Sequence, residues 1–339
     1  MLRLPEQSGL RIAVVGCGYW GSKHVRVLQA IDEVEEVVLV DSTESRLLSL
    51  ARSYRTAPCS TALRPVLPGV DAVIVATPPS THVAVALEAI HAGKHVLIEK
   101  PLAPTAAGAR RLIAAAADAG VVLMVGHTFE YNPAVRKLRE LVQGQQLGEL
   151  FYVDSARLNL GLYQNDVNVI IDLAPHDISI INHVLGRAPV AAQAWASRHA
   201  HRRFEDVAYL RLFYDDFFDD RGLSANIHVS WLDPQKVRKM IVVGSKKMVV
   251  YDDVADDKIA IYDKGIDKKA VLGENMDFDH PRPPEFNYRS GDILLPQVKF
   301  VEPLRVEAEH FIECIKNKST PLTGLAHART VVSILEQAK

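Results

Sequence analysis

Cysteine is scarce in this chain: Cys17, Cys59 and Cys314 are the only three among 339 residues. So few, so widely spaced and odd in number, they argue against a disulfide framework and for a reducing compartment. No apolar run reaches the roughly 18 residues that a membrane helix needs. The opening MLRLPEQSG lacks the uninterrupted apolar segment of a secretory leader, so the expectation is a cytoplasmic protein with no membrane partner. Charge of one sign is not in excess either. The 39 Lys and Arg against 41 Asp and Glu leave a formal charge of −2, which provides no broad positive field for nucleic acid. The one basic cluster, RHAHRR at 198–203, is short and reads as a solvated face.

What is present is apolar: 48% of residues are hydrophobic and 24% charged, the balance of a globular chain long enough for two cores. From residue 11 to about 126, apolar runs (RIAVVG, EEVVLVD, DAVIVAT, HVLIEK, VVLMVG) alternate with helical patterns. That rhythm predicts an α/β domain over 1–126, a doubly wound parallel sheet with helices on both faces. Beyond it, stretches such as FYVDSARLNL, DVAYLRLFY and RKMIVVG alternate with period two. They predict an α+β domain over 127–339, in which six or seven mostly antiparallel strands form a large open sheet covered by helices on one face. Its other face is available to a partner chain. YDDFFDDRG at 214–222 reads as a polar hairpin loop with no metal required, and 264–303, rich in Pro, Gly and charge, as a long irregular connection. Two helices close the chain.

Gly16, Gly18 and Gly21 stand in G-x-G-x-x-G spacing between a strand and a helix. Such glycines permit a tight turn, close approach of backbone to a pyrophosphate, and close helix packing, while the helix start offers free N–H groups. Alone the motif is weak. It gains force because the second strand ends in Asp41, 20 residues after Gly21, where a ribose-binding carboxylate belongs. The bland alternative is that Asp41 caps a helix starting near Ser42. A carboxylate would repel a 2′-phosphate and no arginine immediately follows it, so NAD is favoured over NADP, with Arg46 the residue that keeps NADP open. Tyr19 and Trp20 in the turn, Thr77 and Pro78 after the fourth strand, His82 at the next helix start, Glu99 and Lys100 complete the candidate cofactor contacts. His82 could approach the nicotinamide ribose or serve in capping or packing.

Lys100 ends the strand HVLIE directly before Pro101. Ligands of open α/β sheets bind beyond the carboxyl ends of strands, and a proline holds its predecessor in extended angles, so the lysine projects from a fixed origin at the cleft. The Lys100–Pro101 bond is open between cis and trans. Far along the chain, Asp172 and His176 in NVIIDLAPHDISIINHVLG share one face of a helix at i and i+4. Because Pro175 is tolerated in a first turn, the helix is expected to start near Asp172. The competing reading makes Asp172 an N-cap and His176 a core residue.

Together GCGYWG, EKP at 99–101 and the D-x-x-x-H helix resemble the glucose-fructose oxidoreductase, inositol dehydrogenase and rhizopine-catabolism superfamily. The segments GHTFEYNPAVRKL and GDILLPQVKFVEPLRVEAEHFIECI look similar to its nucleotide-sugar 3-dehydrogenases. The resemblance implies a Rossmann domain, NAD, Lys100, Asp172 and His176 as the catalytic set, and a homodimer or homotetramer built on the second sheet. It further implies oxidation of a secondary hydroxyl, foremost C3 of UDP-N-acetylglucosamine or its uronic acid, with His176 as base and Lys100 as cation. Asn132, Arg157 and Tyr163 are further candidates for sugar contacts, Arg157 also for a diphosphate. A ketoreductase on a deoxysugar nucleotide, a cyclitol dehydrogenase and a non-catalytic NAD-binding regulator are the alternatives.

Overall fold

Alternate residues of the first strand enter different cores: Ala13 and Val15 face one layer of apolar side chains, Ile12 and Val14 the other. A strand buried on both faces requires helices on both faces. The computed structural model describes residues 9–54, 58–161, 167–200, 202–215, 222–268 and 286–338, and its first domain has that arrangement. Strands β1 (Leu10–Val15), β2 (Val34–Val40), β3 (Cys59–Ser60), β4 (Ala72–Val75), β5 (His95–Glu99) and β6 (Leu123–Gly126) form one parallel sheet in the order β3-β2-β1-β4-β5-β6. Helices α1 (Tyr19–Leu28), α2 (Glu44–Ser53), α3 (Pro79–His91) and α4 (Ala106–Ala119) connect them. The order reverses between β1 and β4, which opens a crevice at the carboxyl ends of these strands.

A 3₁₀ turn at Thr128–Tyr131 leads to α5 (Pro133–Gln143), β7 (Leu150–Leu160), α6 (Val169–Leu185), β8 (Ala191–Ser197), β9 (Val207–Phe213), β10 (Ser224–Ser230), β11 (Leu232–Gly244), β12 (Met248–Asp252), β13 (Ile259–Lys268) and β14 (Phe286–Leu294). These strands form one sheet ordered β14-β13-β12-β11-β7-β10-β9-β8, antiparallel except where β7 meets β10. Helices α5 and α6 cover one face, in a core with Val153, Leu210, Ile227 and Val242. The opposite face leaves Tyr152, Trp195 and Tyr209 exposed.

Two expectations are corrected. Among the described residues the sheet has eight strands, and part of the supposed irregular segment 264–303 is regular: β14, whose sequence FNYRSGDIL shows little apolar alternation, pairs with β13. α6 begins at Val169, capped by Asn168, whose side chain accepts from the Ile171 N–H at 3.0 Å, so Pro175 lies inside the helix.

The last helices, α7 (Pro303–Asn317) and α8 (Leu325–Gln337), return to the first domain. Phe311 and Ile312 join the core of Ile12 and Val14, and Ala328 joins that of Val73. The Val125 N–H donates to the Thr323 carbonyl at 2.9 Å. The first sheet ends with β6 and the second begins with β7, while the turn between α7 and α8 holds the end of β6. Among the described residues, no helix is long and apolar enough to cross a membrane.

Candidate active site

The glycine turn is shaped by crowding on the protein side and space on the other. Gly16 has φ +94, and a side chain there would meet the Ala76 carbonyl at 2.6 Å; at Gly21 it would lie 1.8 Å from the Gly16 carbonyl. At Gly18 nothing lies within 4 Å. Gly18 also precedes α1 without a side-chain cap, so the first-turn N–H groups face that space and suit a pyrophosphate. Tyr19 and Trp20 stand exposed beside it, their rings edge-on at 5.6 Å. The buried Asp41 carboxylate accepts the Cys17 N–H at 2.7 Å and the Thr43 N–H at 2.8 Å. It ties the end of β2 to the turn, and each oxygen keeps a lone pair suited to a ribose hydroxyl. Arg46 comes to 3.8 Å from the same carboxylate.

Behind the crevice, Thr77 accepts a hydrogen bond from the Thr81 hydroxyl at 2.8 Å, and Pro78 sets the start of α3. His82 is buried, its two ring nitrogens each 2.8 Å from a carbonyl, that of Pro101 and that of Thr77. It ties the Thr77 turn to the Lys100–Pro101 segment, and both nitrogens face the protein interior. Glu99 is also buried, 2.8 Å from His24 Nε2 of α1, and accepts the Lys100 N–H at 3.3 Å. Both residues brace the crevice.

The Lys100–Pro101 peptide is cis. Lys100 Nζ donates to Asp172 Oδ1 and to the Asp172 carbonyl, each at 3.0 Å. Pro175 has no N–H for the Ile171 carbonyl; the lysine bonds the carbonyl of the next residue, Asp172. Trp231, buried at the start of β11, donates Nε1–H to Asp172 Oδ2 at 3.1 Å, so both carboxylate oxygens are oriented. Asp172 therefore does not cap α6.

His176 follows one turn later on α6, edge-to-face with Phe129 at 5.1 Å. Its Nδ1 is buried and finds no hydrogen-bond partner among the described residues. Burial first, then electrostatic opposition from Lys100, Arg157, His127 and Arg238, holds its pKa well below the usual histidine range. A neutral imidazole beside a fixed ammonium is the result. His127, at the end of β6, is likewise held down by burial, then by His327 and Lys100.

The proposed sugar contacts fare differently. Asn132 Oδ1 caps α5 by accepting the Ala134 N–H at 2.8 Å. Arg157 is buried and directs Nε (2.6 Å) and Nη2 (3.3 Å) to Asp177, which also takes the Ser155 hydroxyl. Its charge is answered inside the protein, under the Phe129 ring at 4.6 Å, and not at the surface where a diphosphate would arrive. Tyr163 lies outside the described residues. Phe129, Trp231, His127 and Arg238 escaped the sequence reading, because no local pattern distinguishes them. One signal was available: alternation along β7 turns residue 157 inward with Val153 and Ser155, and a buried arginine needs a carboxylate.

Comparison with known proteins agrees with this geometry. The oxidoreductase family with an NAD-binding Rossmann fold matches residues 10–127, and the GFO/IDH/MocA C-terminal domain matches residues 135–250. The 4-carboxy-2-hydroxymuconate-6-semialdehyde dehydrogenase of Sphingobium sp. is 35% identical over 41% of this chain and 44% of its own length. The UDP-N-acetylglucosamine 3-dehydrogenase of Acidithiobacillus ferrooxidans is 33% identical over 55% of this chain and 57% of its own. The chain thus spans about half the length of these curated relatives. Over whole chains, GenD2 from gentamicin A biosynthesis, solved with NAD, is 26% identical, with a TM-score of 0.78 over 100% of this chain and 96% of that one.

Proposed function

This chain belongs to the GFO/IDH/MocA oxidoreductase family and carries its NAD-binding Rossmann domain, and from that premise we propose that it is an NAD-dependent sugar dehydrogenase oxidising a secondary hydroxyl. The observation that carries the reading is the meeting of Lys100, from the carboxyl end of β5, with Asp172, one helical turn before His176. Bound NAD would supply the hydride acceptor, held by the N–H groups at Gly18 and by Asp41. The protein's own task is the proton.

His176, neutral at physiological pH, accepts the hydroxyl proton. Lys100 stabilises the developing alkoxide, and Asp172, oriented by Trp231, fixes Lys100 as a cation. A general base is worth about 3 to 5 kcal/mol, and a charge about 4 Å from an alkoxide up to about 4 kcal/mol at an effective dielectric near 20. Neither alone accounts for an enzymatic rate, so both are needed. The cationic surroundings weaken His176 as a base, which makes the neighbouring alkoxide stabiliser more important.

For the substrate we favour C3 of UDP-N-acetylglucosamine or its uronic acid, supported by the likeness to the 3-dehydrogenase over 55% of the chain. Self-association through the exposed aromatic face of the second sheet accords with Tyr152, Trp195 and Tyr209. The test is nicotinamide absorbance with NAD and a panel of UDP-sugars and free cyclitols. Reduction with UDP-N-acetylglucosamine or its uronic acid is expected; reduction with inositol alone would sink the nucleotide-sugar reading.

A further inference from the structure

Two arginines lie under the ring that touches His176, and only one of them is fully used. Arg238 on β11 sits directly opposite Arg157 on β7, and both guanidinium groups approach Phe129, at 5.8 and 4.6 Å from its centroid. Arg157 is buried and spends its fork on Asp177. Arg238 keeps 37% of its side chain exposed, and among the described residues its side chain makes one hydrogen bond, from Nη1 to Asp253 Oδ2 at 3.2 Å. Asp253 is itself held by the Tyr251 hydroxyl at 3.0 Å, so that one contact orients the guanidinium and leaves most of its five N–H donors available.

We infer that Arg238 binds an anionic substituent, phosphate or carboxylate, carried by the sugar whose hydroxyl meets His176. This rests on the dehydrogenase reading of the site and specifies its substrate. The Phe129 ring touches the His176 imidazole and is approached by the Arg238 guanidinium, so a sugar whose hydroxyl meets His176 is short enough to present a charged group to Arg238. A planar fork pairs with either anion by two charge-assisted bonds. The charges acting on His176 point the same way: Lys100, Arg157, His127 and Arg238 all oppose its protonation. An anion seated on Arg238 offsets part of that field as the proton arrives, which a neutral polyol cannot do.

Calorimetric titration of the NAD-loaded protein tests this with two ligand pairs. N-acetylglucosamine 1-phosphate against N-acetylglucosamine isolates the phosphate, and glucuronate against glucose isolates the carboxylate. The charged member of at least one pair should bind about tenfold tighter, about 1.4 kcal/mol, and the pair that responds identifies the anion. Arg238→Met should erase most of that preference while NAD affinity is kept. Arg238→Lys, which retains charge without the fork, should keep part of it and serves if the Met variant does not fold. No preference in either pair, or a preference that survives both substitutions, would overturn the assignment. Lack of NADH formation from any sugar, with the binding preference intact, would overturn the dehydrogenase reading alone.

Discussion

Lys100 and Asp172 stand 72 positions apart in sequence and meet at 3.0 Å, with 14% and 15% of their side chains exposed. A lysine at the end of one domain's strand is thus fixed by the backbone and carboxylate of a helix in the other. Lys100→Met preserves length and removes the charge. It should lower turnover by about 10²-fold or more and cost about 1 to 3 kcal/mol, since the pair keeps some solvent. Steady-state rates alongside circular dichroism check this; a folded, fully active variant would refute the role of Lys100.

Trp231 supplies a different part of the same arrangement. Trp231→Phe keeps an aromatic ring in the core but deletes the donor to Asp172 Oδ2. Stability should fall by about 1 to 3 kcal/mol and kcat by about tenfold, with NAD affinity unchanged, because Asp172 Oδ2 loses the donor that orients the carboxylate toward Lys100. Thermal melts and kinetics on one preparation measure both.

The glycine turn makes a prediction by contrast. Gly18→Ala adds a methyl group where, beyond its own chain neighbours, no described residue comes within 4 Å, whereas Gly21→Ala drives one into the Gly16 carbonyl. The first should leave the melting temperature nearly unchanged and weaken NAD binding. The second should lower the melting temperature by itself. Equal thermal losses in both would contradict the assignment of Gly18 to the cofactor side.

Acid sensitivity follows from the buried imidazoles. His176 and His127 have pKa values held well below the ordinary 6.5, burial being the first cause in each. Below pH 6.5 the unfolded chain binds protons that the folded protein refuses, so stability falls as pH drops, by up to about 1.4 kcal/mol per pH unit per histidine. Glu307, whose pKa burial raises well above the ordinary carboxylate range, acts in the opposite sense: its stabilisation is present below the ordinary 4.5 and is lost as pH rises above it. His127→Gln should therefore flatten the slope of melting temperature between pH 6.5 and 5. An unchanged slope would exclude His127 as a source.

Much of this was legible in the sequence, for physical reasons. A doubly buried strand has to be apolar nearly throughout, so VVLV and AVIV announced a parallel sheet, and Gly16, Gly18 and Gly21 were readable because few other residues satisfy a tight turn. Lys100, Asp172 and His176 were singled out through resemblance, and the fold brings Lys100 to Asp172 one turn before His176. The start of α6 was not readable, because Asn168 caps it a full turn earlier and Pro175 is accommodated inside the helix. β14 was hidden by its polar composition. Phe129, Trp231 and Arg238 become part of the site only through strand register and the docking of two domains, which leave no local pattern.

The central claim is that Lys100, Asp172 and His176 assist removal of hydride and proton from one secondary alcohol. It is tested most directly with UDP-N-acetylglucosamine deuterated at C3 and unlabelled NAD, followed by mass measurement of the NADH formed. The account predicts NADH heavier by one deuterium with the wild-type protein, and almost none with Lys100→Met or His176→Asn. Unlabelled NADH, or labelled NADH formed equally well by those variants, would contradict it.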